Sequence, residues 1–138
     1  MSLLLVPISY GELIDKISIL QIKDQRIADA GKRANVRAEL DALIATWKAH
    51  PASQAQSVDD LWKALREINT KLWDIEDEIR GKEAQGSFDA EFVELARAVY
   101  FVNDERARIK RELNVRLGSE LVEEKSYADY RRVEAGKA

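Results

Sequence analysis

A run of seven apolar residues, spaced alternately by three and four positions, restricts the fold of this chain more than any other feature. These residues are Val58, Leu61, Leu65, Ile68, Leu72, Ile75 and Ile79. Because an α-helix has about 3.6 residues per turn, this spacing places all seven side chains on one stripe, as in a coiled coil. The pattern predicts a long helix that is capped by Ser57 and ends at Gly81.

Three more helices are predicted on either side of this one. A capping box formed by Ser9 and Glu12 marks the start of the first helix, Pro51 stops the second, and Gly118 ends the last. The four predicted helices cover residues 10–30, 34–50, 58–81 and 89–117. Because short loops favour antiparallel neighbours, we expect an all-α fold, either a four-helix bundle or a pair of helical hairpins.

The two ends of the chain complete a single predicted domain over residues 1–138. Residues 1–8 are expected to form an N-terminal strap or edge strand through the apolar run 3–6, with disorder as the alternative. In the tail, residues 119–138, we expect a short helix over 120–132.

The composition excludes several classes of chemistry. The chain has no cysteine and one histidine, His50, which rules out disulfides, thiolate catalysis and histidine clusters. The net charge of −3 lacks the basic excess of a nucleic-acid-binding protein. Neither a signal peptide nor a membrane-spanning run is recognisable, so a cytoplasmic location is predicted. We predict no catalytic residue, no metal, no cofactor, no nucleic-acid partner and no membrane association.

Several polar side chains fall on helix faces that are otherwise apolar, at about 100° per residue. The candidate site consists of Asp24, Asn69, Trp73, Glu76, Asn103, Arg106 and Lys110. An unpaired charge in a core is costly, so these groups must pair, reach water or line a cavity. One interpretation is a buried network with Asp24 and Glu76 opposite Arg106 and Lys110. A second is a binding site for a small anionic molecule with Trp73 as a wall, and a third returns the residues to solvent through a shift of helix register.

Four stretches of the chain resemble a family of short bacterial proteins whose domain has no assigned function. They are PISYGELIDKISIL, INTKLWDIEDEIR, FVELARAVYFVNDERARIKRELN and GSELVEEKSY. The resemblance implies no catalytic residues. It implies an association with surface polysaccharide assembly, beside glycosyltransferases or tetratricopeptide proteins.

Three functions therefore stay open from the sequence. The preferred hypothesis is a small helical interaction or accessory module that forms a homo-oligomer, such as a homodimer, or binds a protein partner. The alternative is a binding module for a small anionic metabolite. A third hypothesis is an enzyme, because the stretch ELIDKI is similar to the opening helix of the all-helical chorismate mutases.

Overall fold

The all-α fold predicted from the sequence is confirmed. The structure, a computed structural model, describes residues 2–132. This part of the chain contains five α-helices and no β-strand. The helices are α1 (Tyr10–Arg26), α2 (Ala30–Ala49), α3 (Ala52–Ala55), α4 (Asp59–Gln85) and α5 (Ala90–Leu117). The strand expected at residues 3–6 does not form, and these side chains are exposed.

Local capping explains where the first two helices begin. The hydroxyl of Ser9 accepts a hydrogen bond from the backbone N–H of Glu12 at 3.1 Å, as the capping box predicts. The boundary between α1 and α2 differs from the prediction. Asp29 caps α2 by accepting the N–H of Lys32 at 2.8 Å, so α2 begins at residue 30 and Gly31 lies inside it.

Two glycines were predicted to end helices, and the prediction is confirmed for Gly118 and wrong for Gly81. Gly81 lies inside α4, and the helix continues to Gly86, which adopts the left-handed conformation with φ of 65° and closes the helix. Asp89 caps α5, and Gly118, with φ of 69°, ends it as predicted. The segment 50–56, predicted to be a loop, contains the short helix α3.

Two helical hairpins, α1–α2 and α4–α5, pack together through α1. Helix α1 contacts α2, α4 and α5, whereas α2 packs chiefly against α1. The pair-of-hairpins alternative therefore describes the fold, and α2 is an outer layer on a three-helix core. One apolar cluster lies between α1, α4 and α5, and the other lies between α1 and α2. The fully buried members of the first cluster are Ile14, Leu65 and Leu113.

The α4–α5 hairpin continues beyond the end of α1 as a two-helix arm. Arg26 in the last turn of α1 pairs with Asp74 of α4 at 2.5 Å. Residues 75–85 of α4 follow this pair, and the most extensive contact of α4 as a whole is with α5. None of the helices in the described part of the chain is both long and apolar enough to cross a membrane.

The tail does not form the helix predicted over residues 120–132. Its described part, residues 119–132, has no regular secondary structure and runs back along α5. After the left-handed turn at Gly118, Glu123 and Glu124 pair with Lys110 and Arg111. These ion pairs hold the tail against α5 in place of a helix of its own. Residues 133–138 of the predicted tail lie outside the described residues.

Candidate functional site

A close approach of α1 to α5 sets the geometry of the polar interior. Gly11 lies against the main chain of α5, and a Cβ at this position would overlap the carbonyl oxygen of Lys110. The backbone N–H of Gly11 donates to the side-chain oxygen of Asn114 at 2.7 Å, and this bond is buried. The bond satisfies one of the donors that the first turn of a helix leaves free. Only glycine permits this contact, so the polar side chains that follow on α1 face α5 directly.

Asp15 is the centre of a buried network that joins three helices. Its carboxylate is 1% exposed and forms a two-pronged pair with Arg106 of α5. One prong is Nε of Arg106, which donates to Oδ1 at 3.0 Å, and the other is Nη2, which donates to Oδ2. From α4, the amide of Asn69 donates to Oδ1 at 2.9 Å and lies 3.5 Å from the hydroxyl of Ser18. This pairing offsets the cost of burying the carboxylate.

Lys110 links the network to the tail. Its side chain is 10% exposed, and Nζ donates to the carboxylates of Glu12 and Glu123 at 2.7 Å each. Nζ also lies 3.9 Å from Oδ2 of Asp15. Burial by itself would lower the pKa of Lys110, but the hydrogen bonds to Glu12 and Glu123 raise the pKa above its ordinary value. The pKa of Arg106 is raised as well, chiefly by its hydrogen bond to Asp15.

The charges of this network nearly offset one another, with one carboxylate in excess, and the side chains leave little space. The carboxylates of Glu12, Asp15 and Glu123 surround the two cations of Arg106 and Lys110. The cavity beside them has a volume of about 60 Å³. A volume of this size holds about two water molecules, at about 30 Å³ for each. A sugar phosphate or a dicarboxylate does not fit there while the tail is in place.

The structure brings together only some of the residues that the sequence analysis selected. Asn69, Arg106 and Lys110 belong to the network, and Asn103 lines the small cavity beside it. Whether these residues bind a ligand stays a prediction. Trp73 is half-buried on α4 and takes no part in the network's hydrogen bonds.

The predicted partners of the two cations were wrong. Asp24 lies on the face of α1 that meets α2, where it pairs with Arg37 at 2.9 Å and Arg33 at 3.7 Å. Glu76 is exposed and pairs with Arg80 one turn further along α4 at 3.1 Å. Both carboxylates therefore belong to surface ion pairs, and Asp15 and Glu12 take the positions that were expected for them.

The sequence analysis missed Asp15, Ser18 and Asn114. Gly11, Asp15 and Ser18 follow one another at intervals of four and three, so they share a stripe of α1. Small residues on either side of a carboxylate are the signal of a close helix neighbour, and this stripe carries it. The larger apolar stripe through Leu13 and Ile17 dominates the helical periodicity of this segment, and the stripe with Asp15 is the weaker pattern.

A second feature lies at the end of the molecule where α1 begins and α5 stops. A groove of about 550 Å³ runs between residues 6–10, the end of α2 and residues 118–121. The ring of Tyr10 meets the rings of Trp47 and His50 edge to face, with centroids 6.4 and 5.3 Å apart. Nδ1 of His50 accepts the backbone N–H of Ala52 at 3.1 Å, so the only histidine serves the turn into α3.

Two chain segments with exposed apolar side chains reach this groove. Leu3, Leu4, Leu5 and Val6 are 71%, 89%, 88% and 60% exposed. Leu121 and Val122 of the tail are also exposed, and Leu121 lines the groove together with Val6. We call residues 3–6, Leu121 and Val122 the apolar end. No three acidic or histidine side chains within residues 2–132 converge as metal ligands.

Together these features define a small all-α protein, two hairpins joined by an internally paired polar network, with one apolar end. The chain belongs to a family of unknown function, DUF6165, whose profile matches residues 4–133. The resemblance seen in the sequence is thereby confirmed as membership of a family without an assigned function. The opening motif as a family signature and the bacterial origin stay expectations. No curated protein and no solved structure matches the chain.

Proposed function

We propose that this protein is a helical interaction module that associates with a second copy of itself through the apolar end. One observation carries the proposal: four consecutive large apolar side chains, residues 3–6, are mostly exposed to water. Large exposed apolar patches in soluble proteins mark interaction sites. The preferred hypothesis from the sequence, an interaction module, is thus linked to a defined surface.

The energy available from this surface is enough for association. Burying one leucine or valine side chain contributes about 1.5–3 kcal/mol. Residues 3–6 bury little of their side chains against their own bundle, so most of that free energy is unused in the isolated chain. The loss of translational and rotational freedom on association offsets part of the gain, which favours a moderate affinity.

A second copy is the partner that this surface fits best. Val6 and Leu121 line the same groove, so the apolar segments to which they belong, residues 3–6 and 121–122, approach each other at this end of one copy. In a two-fold dimer the same patch meets itself, and each segment of one copy can cover the other segment of its partner. Most soluble oligomers have such closed symmetry.

The test compares Leu4→Asp combined with Leu5→Asp against the wild-type chain. Light scattering and sedimentation velocity over a wide range of protein concentration should show a wild-type dimer and a monomeric variant. Val93→Asp is the matched control, because Val93 is an exposed apolar residue on the two-helix arm, far from the apolar end. A wild-type chain that stays monomeric at every concentration refutes self-association and leaves a different protein as the occupant of this surface.

The geometry gives less support to the anionic-ligand alternative and to the mutase-like enzyme. Both would use Arg106 and Lys110, whose hydrogen bonds already go to carboxylates of the chain. A thermal-shift screen with sugar phosphates, nucleotide sugars and dicarboxylates tests both, since a ligand that binds the folded state raises the unfolding midpoint. The cytoplasmic location and the link to surface polysaccharide assembly stay predictions.

A further inference from the structure

The tail covers a strip of side chains along α5 that matches it group by group. Oε1 of Glu124 lies 2.9 Å from Nη1 of Arg111, and Nζ of Lys125 lies 3.4 Å from Oδ1 of Asp104. Lys110, which binds Glu123, completes the charged part of the strip. The strip thus places two cations and one carboxylate opposite the two carboxylates and one cation of the tail.

An aromatic contact lies at the far end of the same strip. The ring of Tyr130 packs on Tyr100 and Phe101, with centroids 5.0 and 4.8 Å away. Arg97 lies over the ring of Phe101 at 5.9 Å from its centroid. The tail is therefore recognised at three charged positions and at one aromatic cluster. We call residues 100, 101, 104, 110 and 111 the α5 strip.

The tail is held weakly, although it is recognised in detail. Every residue from 120 to 132 is exposed in the structure. Ion pairs between exposed side chains contribute little to stability, because water screens them and ordering long side chains is costly. The pairs Glu124–Arg111 and Lys125–Asp104 are of this kind, whereas Glu123 pairs with Lys110, whose side chain is 10% exposed. Beyond Glu123 the tail is therefore held by contacts of low stability, and the strip can receive another segment of the same chemistry.

The start of the tail lies where a second copy is expected. The left-handed turn at Gly118 ends α5, and residues 119–122 precede the first ion pair between the tail and α5. At about 3.3 Å per extended residue, this linker spans about 13 Å. Leu121 and Val122, in the same linker, belong to the apolar end.

We propose that the tail of one copy binds the α5 strip of a second copy, so that two chains exchange tails. The inference rests on the proposed function in one respect, which is that the apolar ends bring the two copies together. The exchanged contacts are those already seen within one chain, so the exchange loses no interaction, and swapping identical segments is a low-cost route to a dimer. Proximity at the apolar end raises the effective concentration of each tail at the other strip.

Complementary charge reversal tests the exchange in the full-length chain. The tail variant carries Glu124→Lys and Lys125→Glu, and the strip variant carries Arg111→Glu and Asp104→Lys. Within either variant the tail and the strip repel each other. In a mixture, each tail matches the strip of the other variant, so an equimolar mixture should form one-to-one heterodimers in native mass spectrometry. We expect about tenfold more heterodimer than either variant forms homodimer by itself.

The control variant carries all four substitutions, which restores the match within one chain. Mixed with wild type, it should show no enrichment of heterodimers. All four side chains are at least 31% exposed, so the fold should tolerate the changes, and circular dichroism checks this. If a double variant does not fold, Glu124→Lys and Arg111→Glu alone repeat the test.

Two results overturn the exchange or separate it from self-association. A mixture with no more heterodimer than the single variants shows that the tail binds only its own strip. If the wild-type chain is dimeric in that case, the apolar-end proposal stands and the exchange alone is refuted. Heterodimers in the mixture beside a monomeric wild type refute both proposals, because they show that the tail binds a second copy only when its own strip repels it.

Discussion

Replacing Gly11 by alanine tests the close approach of α1 and α5 on which the polar network depends. Helix propensity by itself predicts that alanine stabilises this position by about 0.8–1 kcal/mol relative to glycine. The packing predicts the opposite, because the added Cβ would overlap the carbonyl oxygen of Lys110 and lie 3.0 Å from Oδ1 of Asn114. The backbone of α5 cannot rotate away as a flexible side chain can.

The expected magnitude follows from these two opposing terms. Overpacking a close contact costs about 1–3 kcal/mol. Any shift of α1 away from α5 also weakens the buried hydrogen bond from Gly11 to Asn114, and a buried donor left unpaired costs about 1–3 kcal/mol. After the gain in propensity is subtracted, we expect Gly11→Ala to lower the free energy of unfolding by about 1–5 kcal/mol. For a chain of this size, this lowers the melting temperature by about 3–17 °C.

Gly81→Ala is the matched control for this measurement. Gly81 also lies inside a helix, but nothing lies within 4 Å of a Cβ built there. This substitution should therefore raise the free energy of unfolding by about 0.8–1 kcal/mol through propensity alone. Urea unfolding followed by circular dichroism measures both variants. If Gly11→Ala raises the midpoint as much as Gly81→Ala does, the close approach and the reasoning built on it are refuted.

The remaining predictions concern the network itself. Asp15→Asn leaves the half-buried Arg106 without its counter-charge and should lower the free energy of unfolding by about 3–5 kcal/mol. Asp24→Asn, in a surface pair, should change the free energy of unfolding by at most about 1 kcal/mol. Equal effects of the two substitutions in urea unfolding would contradict the assignment of Asp15 as the centre of the network. Asn114→Ala removes the acceptor for the buried N–H of Gly11 and should cost about 1–3 kcal/mol, with a neutral result in the same assay counting against the bond. Because the pKa of Lys110 is raised above its ordinary value of 10.5, the stability that its charge contributes is fully present below that pH and is lost as the pH rises through the pKa of the folded state. The difference in urea midpoint between wild type and Lys110→Met should therefore narrow above about pH 10.5. A difference that stays constant would show that the ion pairs of Lys110 do not stabilise the fold.

Helix ends could be predicted where a local side chain or glycine determines them. Ser9 caps α1 and Gly118 ends α5 as expected, because both act through hydrogen bonds or backbone angles within a few residues. The prediction that Gly81 ends α4 was wrong, because a helix tolerates a glycine when its packing on α5 favours continuing the helix. The helix predicted for the tail is absent because of contacts with another helix. Ion pairs from the tail to α5 favour an extended path over a helix.

The candidate site was predicted only in part. The positions of Asn69, Arg106 and Lys110 on inward faces follow from helical periodicity, and the structure places all three in one network. Asp15 was not selected as a site residue because a helical wheel ranks the faces of a helix by their apolar content. The stripe that contains Asp15 also contains a glycine and a serine, so it does not rank as a buried face. Their small size is what allows α5 to come close.

The sequence by itself therefore determined the four long helices, the caps at Ser9 and Gly118 and the inward direction of the two cations, because these depend on interactions between residues close in the chain. Tertiary structure decided which carboxylates those cations meet. Asp24 and Asp15 lie on different faces of α1, and only the packing of α2 on one face and α5 on the other separates a surface pair from a buried one. The partner of a buried charge depends on which helix lies opposite, and that choice is made by the packing of the whole chain.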